Sequence, residues 1–490
     1  MGTPAYPNYH IIMLLRTLLT VLLLAVPGVL AQGLPDLGDV AQAGFTPLQE
    51  RRLGESIMLE IRADRDFYNG AEATDYVNSL GKRLASRSIE SRQDFEFFLM
   101  RDSQINAFAL PGGFIGVNTG LILAAQSESE VAGVLAHEIA HVTQRHIARM
   151  LQQQQQSTIA SIAALAGALL LSRVSTQATE AAIAFSQAGA IQNQLNFTRD
   201  NEREADRVGL QTLDQAGFDP RGMANFFERL QRATRVYESG APSYLRTHPL
   251  TFERIADMQN RTEGMSYRQV PDSLEFQLIR AKLRAQLDTP RDAITFFEQS
   301  LAERRFLSEA ASRYGLVASL MRAKDYTRAQ VELESLRKLV PANPIVDTLT
   351  CEFGSQAYGP EKTLSCFRES LKVYPSYRAL VYDYADALLR TNRPEEALRF
   401  VEARLLVIGD DYRLYLLQAR AYAALNKPLA QHRAQAEAYI RMGNLTGAIE
   451  QLRIGLKSGD GDFYQLSSAE SRLRELRKLD DELRREAGKK

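Results

Sequence analysis

Apolar residues recur along this chain in more than one rhythm. From residue 48 to 84 they fall at helical spacing, which predicts helix. Phe95, Phe97 and Leu99 then alternate with Glu96, Phe98 and Met100, the period of a strand. Residues 105–110 and 114–117 read as two more strands around the turn Pro111-Gly-Gly113. Residues 131–136 are small and apolar, and Ile139, Ala140 and Val142 continue the run without a charge. Ser127, Glu128, Ser129 and Glu130 just before it have the chemistry of a capped, acidic first turn, so a buried helix is predicted to begin there. Short strands mixed with helices predict an α+β domain over residues 45–265.

From about residue 270 the rhythm becomes repetitive and wholly helical. Pro341 and Pro375 each close a helical segment and lie 34 positions apart, while Ala329 and Ala397 are separated by 68. Ala293 and Ala448 occupy similar settings, where a small residue lets two helices pack closely. Thr363 stands where an alanine is expected, and Ala448 is out of phase. The pattern resembles tetratricopeptide repeats and predicts an all-α solenoid over residues 270–480, with a plain helical bundle as the alternative. Such solenoids form concave surfaces that bind proteins or peptides.

The amino terminus reads as a targeting segment. Arg16 precedes a short apolar core at residues 18–26, followed by Pro27, Gly28 and Ala31, which fits a secretory signal peptide over residues 1–31 cut after Ala31. An uncleaved membrane anchor is the alternative. Export without a later spanning segment points to the periplasm. Residues 159–171 are apolar but too few to cross a bilayer. They read as a helix packed on the catalytic domain, or as a lid or surface for a membrane or partner. Composition adds little: Lys+Arg and Asp+Glu both number 59, which argues against a nucleic-acid partner. Cys351 and Cys366 are the only cysteines. A disulfide suits an exported chain, and two buried thiols suit the sequence equally well.

Chemistry concentrates at His137, Glu138 and His141, in the order H-E-I-A-H. Residues four apart share a helix face, so both imidazoles can hold one metal ion. Glu138, about 100° further round, then addresses a water. Two histidines in a buried, uncharged helix need partners for their ring nitrogens, and a metal supplies one. A zinc site needs at least one more protein ligand. Glu202 and Asp206 share a helix face where like charges would repel. The conflict is relieved if Glu202 binds metal while Asp206 accepts a hydrogen bond from a ligand histidine. A solvated helix whose acids pair with Arg199, Arg203 and Arg207 is the bland alternative. His146, about 140° off the ligand face of a continuous helix, is read as exposed or hydrogen-bonded, and Glu204 as surface. His248, held extended by Pro249, is a candidate oxyanion donor or fourth zinc ligand, with Arg254 a weaker candidate.

These motifs, H-E-I-A-H-V, N-E-R-E-A-D-R-V-G and N-A-F-A-L-P-G-G-F-I, resemble the Ste24/HtpX-like gluzincin metallopeptidases. The resemblance implies a zincin-type fold binding one Zn2+ through His137, His141 and Glu202. Glu138 is then general base and Asp206 a catalytic support. It also implies that substrate lies along an edge strand comprising Asn106, Ala107, Phe108, Ala109 and Leu110. With the signal peptide and repeats, it implies a periplasmic endopeptidase acting on unfolded or misassembled outer-membrane proteins. The repeats would then contact the barrel-assembly machinery, and peripheral membrane contact stays open. Two rivals remain: a repeat-based chaperone whose protease is normally auto-inhibited, and an exopeptidase trimming small peptides.

Overall fold

The computed structural model describes residues 46–88, 93–153, 199–236, 242–265 and 268–488. The expected signal peptide and the apolar 159–171 segment lie outside the described residues. The predicted helix over 48–84 is two helices, α1 (Pro47–Ala63) and α2 (Ala71–Ala85). Between them the Asp64 carboxylate accepts from the Asp66 amide at 2.7 Å, a local turn that competes with helix. The chain then swings out so that Phe67 bridges Met100.

Three strands follow: β1 (Glu96–Met100), β2 (Ala107–Leu110) and β3 (Phe114–Asn118), in the order β1-β3-β2. β2 and β3 form an antiparallel hairpin, while β1 runs parallel to β3. Gly112 and Gly113 make the turn at φ 78° and 89°, backbone that side chains rarely adopt. The outer edge of β1 is closed. The Asn78 side chain bonds both the amide and the carbonyl of Phe97, at 3.1 and 2.5 Å, and the Tyr68 amide donates to the Leu99 carbonyl at 2.9 Å. In β2 the ladder bond from the Asn118 amide to the Asn106 carbonyl sets the alternation. Asn106, Phe108 and Leu110 therefore face β3, and Ala107 and Ala109 turn their amides outward.

After the short α3 (Thr119–Ala124) comes α4 (Glu128–Thr143), buried along its whole length. Ser127 caps it by accepting from the Glu130 amide, as its sequence predicts. Its buried acids are satisfied, Glu128 by Tyr76 and Ser273, Glu130 by Arg229. Beyond it lie α5 (His146–Gln153), α6 (Arg199–Gln215), α7 (Arg221–Val236), α8 (Ser243–Thr247) and α9 (Phe252–Glu263). The central helix α4 packs against α2, β2, α6 and α7.

Residues 274–488 are helical throughout, apart from their connections. Helices begin at Pro290, Tyr326, Pro360, Pro394, Pro428 and Leu445. Except in the helix from Pro428, whose fourth residue is Gln431, the fourth residue is Ala293, Ala329, Thr363, Ala397 or Ala448, and these five are buried. Thr363 fits in place of alanine because Gly354 faces it: a Cβ there would come within 2.5 Å of the Thr363 methyl. Lys324, Asn392 and Asn426, 68 and 34 positions apart, share the left-handed conformation that ends a helix. These turns recur at multiples of 34 residues. Cys351 and Cys366 form a disulfide joining helix Pro344–Tyr358 to helix Pro360–Val373. The described residues from Pro47 onward pack as one compact unit, with an apolar core continuous from Tyr68 to Phe353. No helix among the described residues is long and apolar enough to cross a membrane.

Candidate metal centre

His137 and His141 sit one turn apart on α4, both with no solvent exposure. Their Nε2 atoms lie 3.0 Å apart. Helix α6 brings Glu202 to them, and Gly209 permits the close approach. A Cβ at Gly209 would stand 3.1 Å from the His137 amide nitrogen. Glu202 is 3.5 Å from each of these Nε2 atoms. His248, at the end of α8, turns Nδ1 toward Glu202 at 3.0 Å and toward His137 at 3.4 Å. Donor atoms of His137, His141, Glu202 and His248 all lie within 4.8 Å of one another.

Ring tautomers show what the cluster calls for. His137 Nδ1 lies 3.1 Å from Asp206 Oδ1, and a carboxylate can only accept, so the proton sits on Nδ1. Its Nε2 then turns a lone pair inward, beside the Glu202 carboxylate. Burial alone would push the His137 pKa down, but Asp206 and Glu202 outweigh it and hold it up at about 9. This interior favours positive charge. For Glu202, burial is overcome by His248, His137 and His141, which keep its carboxyl well below the usual range. Burial drives His141 well below its ordinary value. A bound cation would take the place of the proton that this interior favours on His137, and imidazoles so deprotonated beside an ionised carboxylate form the donor chemistry of zinc.

Glu138 stands beside the cluster with no solvent exposure, its Oε1 3.4 Å from His248 Nε2. The backbone of Ala109 offers its carboxylate a hydrogen bond. Burial raises its pKa, and Glu202 adds to the rise. A carboxyl poised above its usual range in a dry pocket suits a general base.

Asp206, four residues past Glu202, is locked by Arg254. The guanidinium Nε and Nη2 reach Asp206 Oδ2 and Oδ1 at 2.7 and 2.8 Å, and Nη1 lies 2.7 Å from Glu202 Oε2. Its charge, with His137, holds the Asp206 carboxyl below its usual value against burial. Reasoning from sequence underrated Arg254. A signal existed: Thr251 caps α9, so Arg254 lies in that helix's first turn, where a cation is disfavoured unless an acid faces it.

His146 also departs from the continuous-helix reading. Helix α4 ends at Thr143, and Arg145 turns left-handed at φ 51°. The break swings His146 back into the interior, where it is fully buried. Its Nδ1 lies 2.9 Å from His141 Nδ1 and its Nε2 3.0 Å from Glu204 Oε2. Burial brings its pKa down to about 4. Glu204 is partly exposed, as expected, and is also paired with Arg149. Tyr244 was missed outright. It is buried, and its ring stacks on His248 with centroids 4.7 Å apart.

Residues 71–262 match the model of "Peptidase family M48". The chain is 33% identical over 454 residues to the beta-barrel assembly-enhancing protease of Escherichia coli K12, covering 92% of each chain. It is 34% identical to the putative beta-barrel assembly-enhancing protease of Vibrio cholerae, covering 85% of this chain and 86% of the relative. The mitochondrial metalloendopeptidase OMA1 of Schizosaccharomyces pombe is 32% identical over 43% of this chain and 60% of its own length. A buried histidine–glutamate cluster able to hold one metal ion accompanies these matches. The chain belongs to peptidase family M48 and is a zinc metalloendopeptidase, kin to the beta-barrel assembly-enhancing proteases.

Proposed function

We propose that this chain is a periplasmic endopeptidase, exported by a cleavable signal peptide, that removes misassembled outer-membrane β-barrel proteins and assists their assembly. The observation that carries the reading is the closeness of His137, His141, Glu202 and His248, with Glu138 at their side. Relatives named for β-barrel assembly supply the substrate class.

In this reading His137, His141 and Glu202 hold zinc. Bound there, zinc supplies Lewis acidity that polarises the scissile carbonyl and acidifies water. Glu138 takes the proton of the attacking water and returns it to the departing amine. Asp206 keeps His137 in the tautomer that leaves Nε2 free to bind. Substrate lies antiparallel along β2, bonding to the outward groups of Ala107 and Ala109. Residues 45–265 cut, and residues 270–480, a tetratricopeptide-type solenoid, select unfolded clients and engage the barrel-assembly machinery.

The second reading is a chaperone with a normally auto-inhibited protease. One observation favours it: four protein donors converge, whereas catalytic zinc sites keep one position open. The Glu138→Gln variant tests both. It is expected to keep one zinc per chain and lose cleavage of an unfolded β-barrel protein; retained hydrolysis sinks the base assignment. In a strain lacking the gene, outer-membrane assembly restored by this variant supports the binding role, and no restoration removes it.

A further inference from the structure

His141 has an unusual neighbour. Ligand histidines ordinarily donate their remote N–H to a carboxylate, a carbonyl or water. His137 does so, toward Asp206. The Nδ1 of His141 instead meets the Nδ1 of another imidazole, His146, at 2.9 Å, and His146 Nε2 meets Glu204 Oε2 at 3.0 Å. A carboxylate only accepts, so the proton on this side of His146 must be on Nε2. Neutral His146 then has a lone pair at Nδ1 and accepts there from the Nδ1–H of His141. The chain of donors has one direction, from His141 through His146 to Glu204. It leaves the His141 Nε2 lone pair facing His137 and Glu202. Arg149 Nη2, 3.0 Å from Glu204 Oε2, fixes the far end.

We propose that His146 is a positioning residue for His141: with Glu204 as its anchor, it sets the tautomer and ring angle that let His141 bind zinc. The proposal rests on the zinc reading of His141. It also gives a use for the break after Thr143. A continuous helix would carry His146 about 140° away from the ligand face, whereas left-handed Arg145 returns it to His141.

Zinc affinity, measured by competition with a chromophoric chelator on the full-length chain, tests this without recourse to activity. One zinc bound by the parent chain, and lost in His141→Ala, tests the underlying reading; ratios between variants and parent test the relay. His146→Leu removes the acceptor and is expected to weaken zinc binding about 10–100-fold. His146→Gln, whose carbonyl can accept from His141 while its amide donates to Glu204, is expected to restore most of that loss. Equal weakening by Leu and Gln would show that the residue only fills space, and overturns the proposal. Position 204 lies at the surface end, so a change there leaves the interior packing intact. Glu204→Met keeps the length and removes the acceptor altogether; it is expected to weaken zinc several-fold, and parental affinity in this Met variant overturns the proposal, even if His146→Leu fails to fold.

Discussion

Arg254 and Asp206 form a two-bond grip, Nε to Oδ2 at 2.7 Å and Nη2 to Oδ1 at 2.8 Å, with both side chains almost fully buried. The same guanidinium reaches Glu202, so one cation braces both the acid at His137 Nδ1 and the acid that faces the Nε2 atoms of His137 and His141. Only a planar fork meets both carboxylates at once.

Arg254→Ala leaves two buried acids without their cation and is expected to cost about 3–5 kcal/mol of stability, read as a lowered melting temperature. Zinc affinity should fall with it, because Glu202 and Asp206 lose their fixed orientation. Arg254→Lys keeps the charge and loses the fork. It should recover part of the stability and little of the zinc affinity. If lysine restores both fully, charge alone matters and the bidentate geometry does not.

Strand β2 offers a sharper test of substrate pairing, because alternate residues face opposite ways. The Ala109 amide points away from β3, on the Glu138 side, while the Phe108 amide belongs to the ladder with Gly116. Ala109→Pro is expected to remove an outward donor and raise KM for an unfolded substrate about fivefold, the worth of one hydrogen bond near 1 kcal/mol. Zinc content should not change. Phe108→Pro, by contrast, should lower the melting temperature by breaking the sheet. Unchanged KM in Ala109→Pro would remove β2 as the substrate edge.

Much of this was legible before any coordinates. The strands around Pro111-Gly-Gly113, the capped start at Ser127 and the small residues of the repeats all follow from local chemistry. So did the pairing of H-E-I-A-H with Glu202, because two like charges on one face ask for an explanation. Reading failed where conformation departs from the regular. The break at residues 64–70 is driven by Asp64 bonding its own backbone and by Phe67 reaching β1. Left-handed Arg145 carries no glycine or asparagine to announce it, so His146 was placed by the geometry of a helix that had already ended. The Cys351–Cys366 pairing depended on which helices become neighbours, which spacing alone does not determine.

His248 differs from the other three donors in its support. His137, His141 and Glu202 sit within long helices, whereas His248 follows the five-residue α8. That short support makes it the donor expected to move aside if a catalytic zinc position is to open. His248→Ala is expected to retain zinc on three ligands, release it faster to a chelator, and cleave an unfolded protein faster than the parent. Slower cleavage with zinc retained would instead assign His248 to the oxyanion.

Asp383 makes the last case. It lies in a cavity of about 460 Å³ with Glu72, Glu352, Asp386 and Lys282. Lys282 is committed to Glu72, and among the described residues no hydrogen bond to the Asp383 carboxylate is found. Burial, then Glu352, Glu72 and Asp386, push its pKa well above the usual value, with Lys282 opposing. A raised folded-state pKa means the native chain holds the proton more tightly than the unfolded one. Its stabilising contribution is therefore full below the ordinary aspartate pKa of about 3.9 and is lost as pH rises through the raised value. Above that, each unit of the rise costs about 1.4 kcal/mol. Asp383→Asn keeps the shape and removes the charge, so it should raise the melting temperature at neutral pH. The difference should shrink toward zero as the pH approaches 4, where the parent carboxyl is already neutral. A gain that persists unchanged at low pH would trace to packing, and a loss at neutral pH would mean that the ionised carboxylate has a partner in the folded chain.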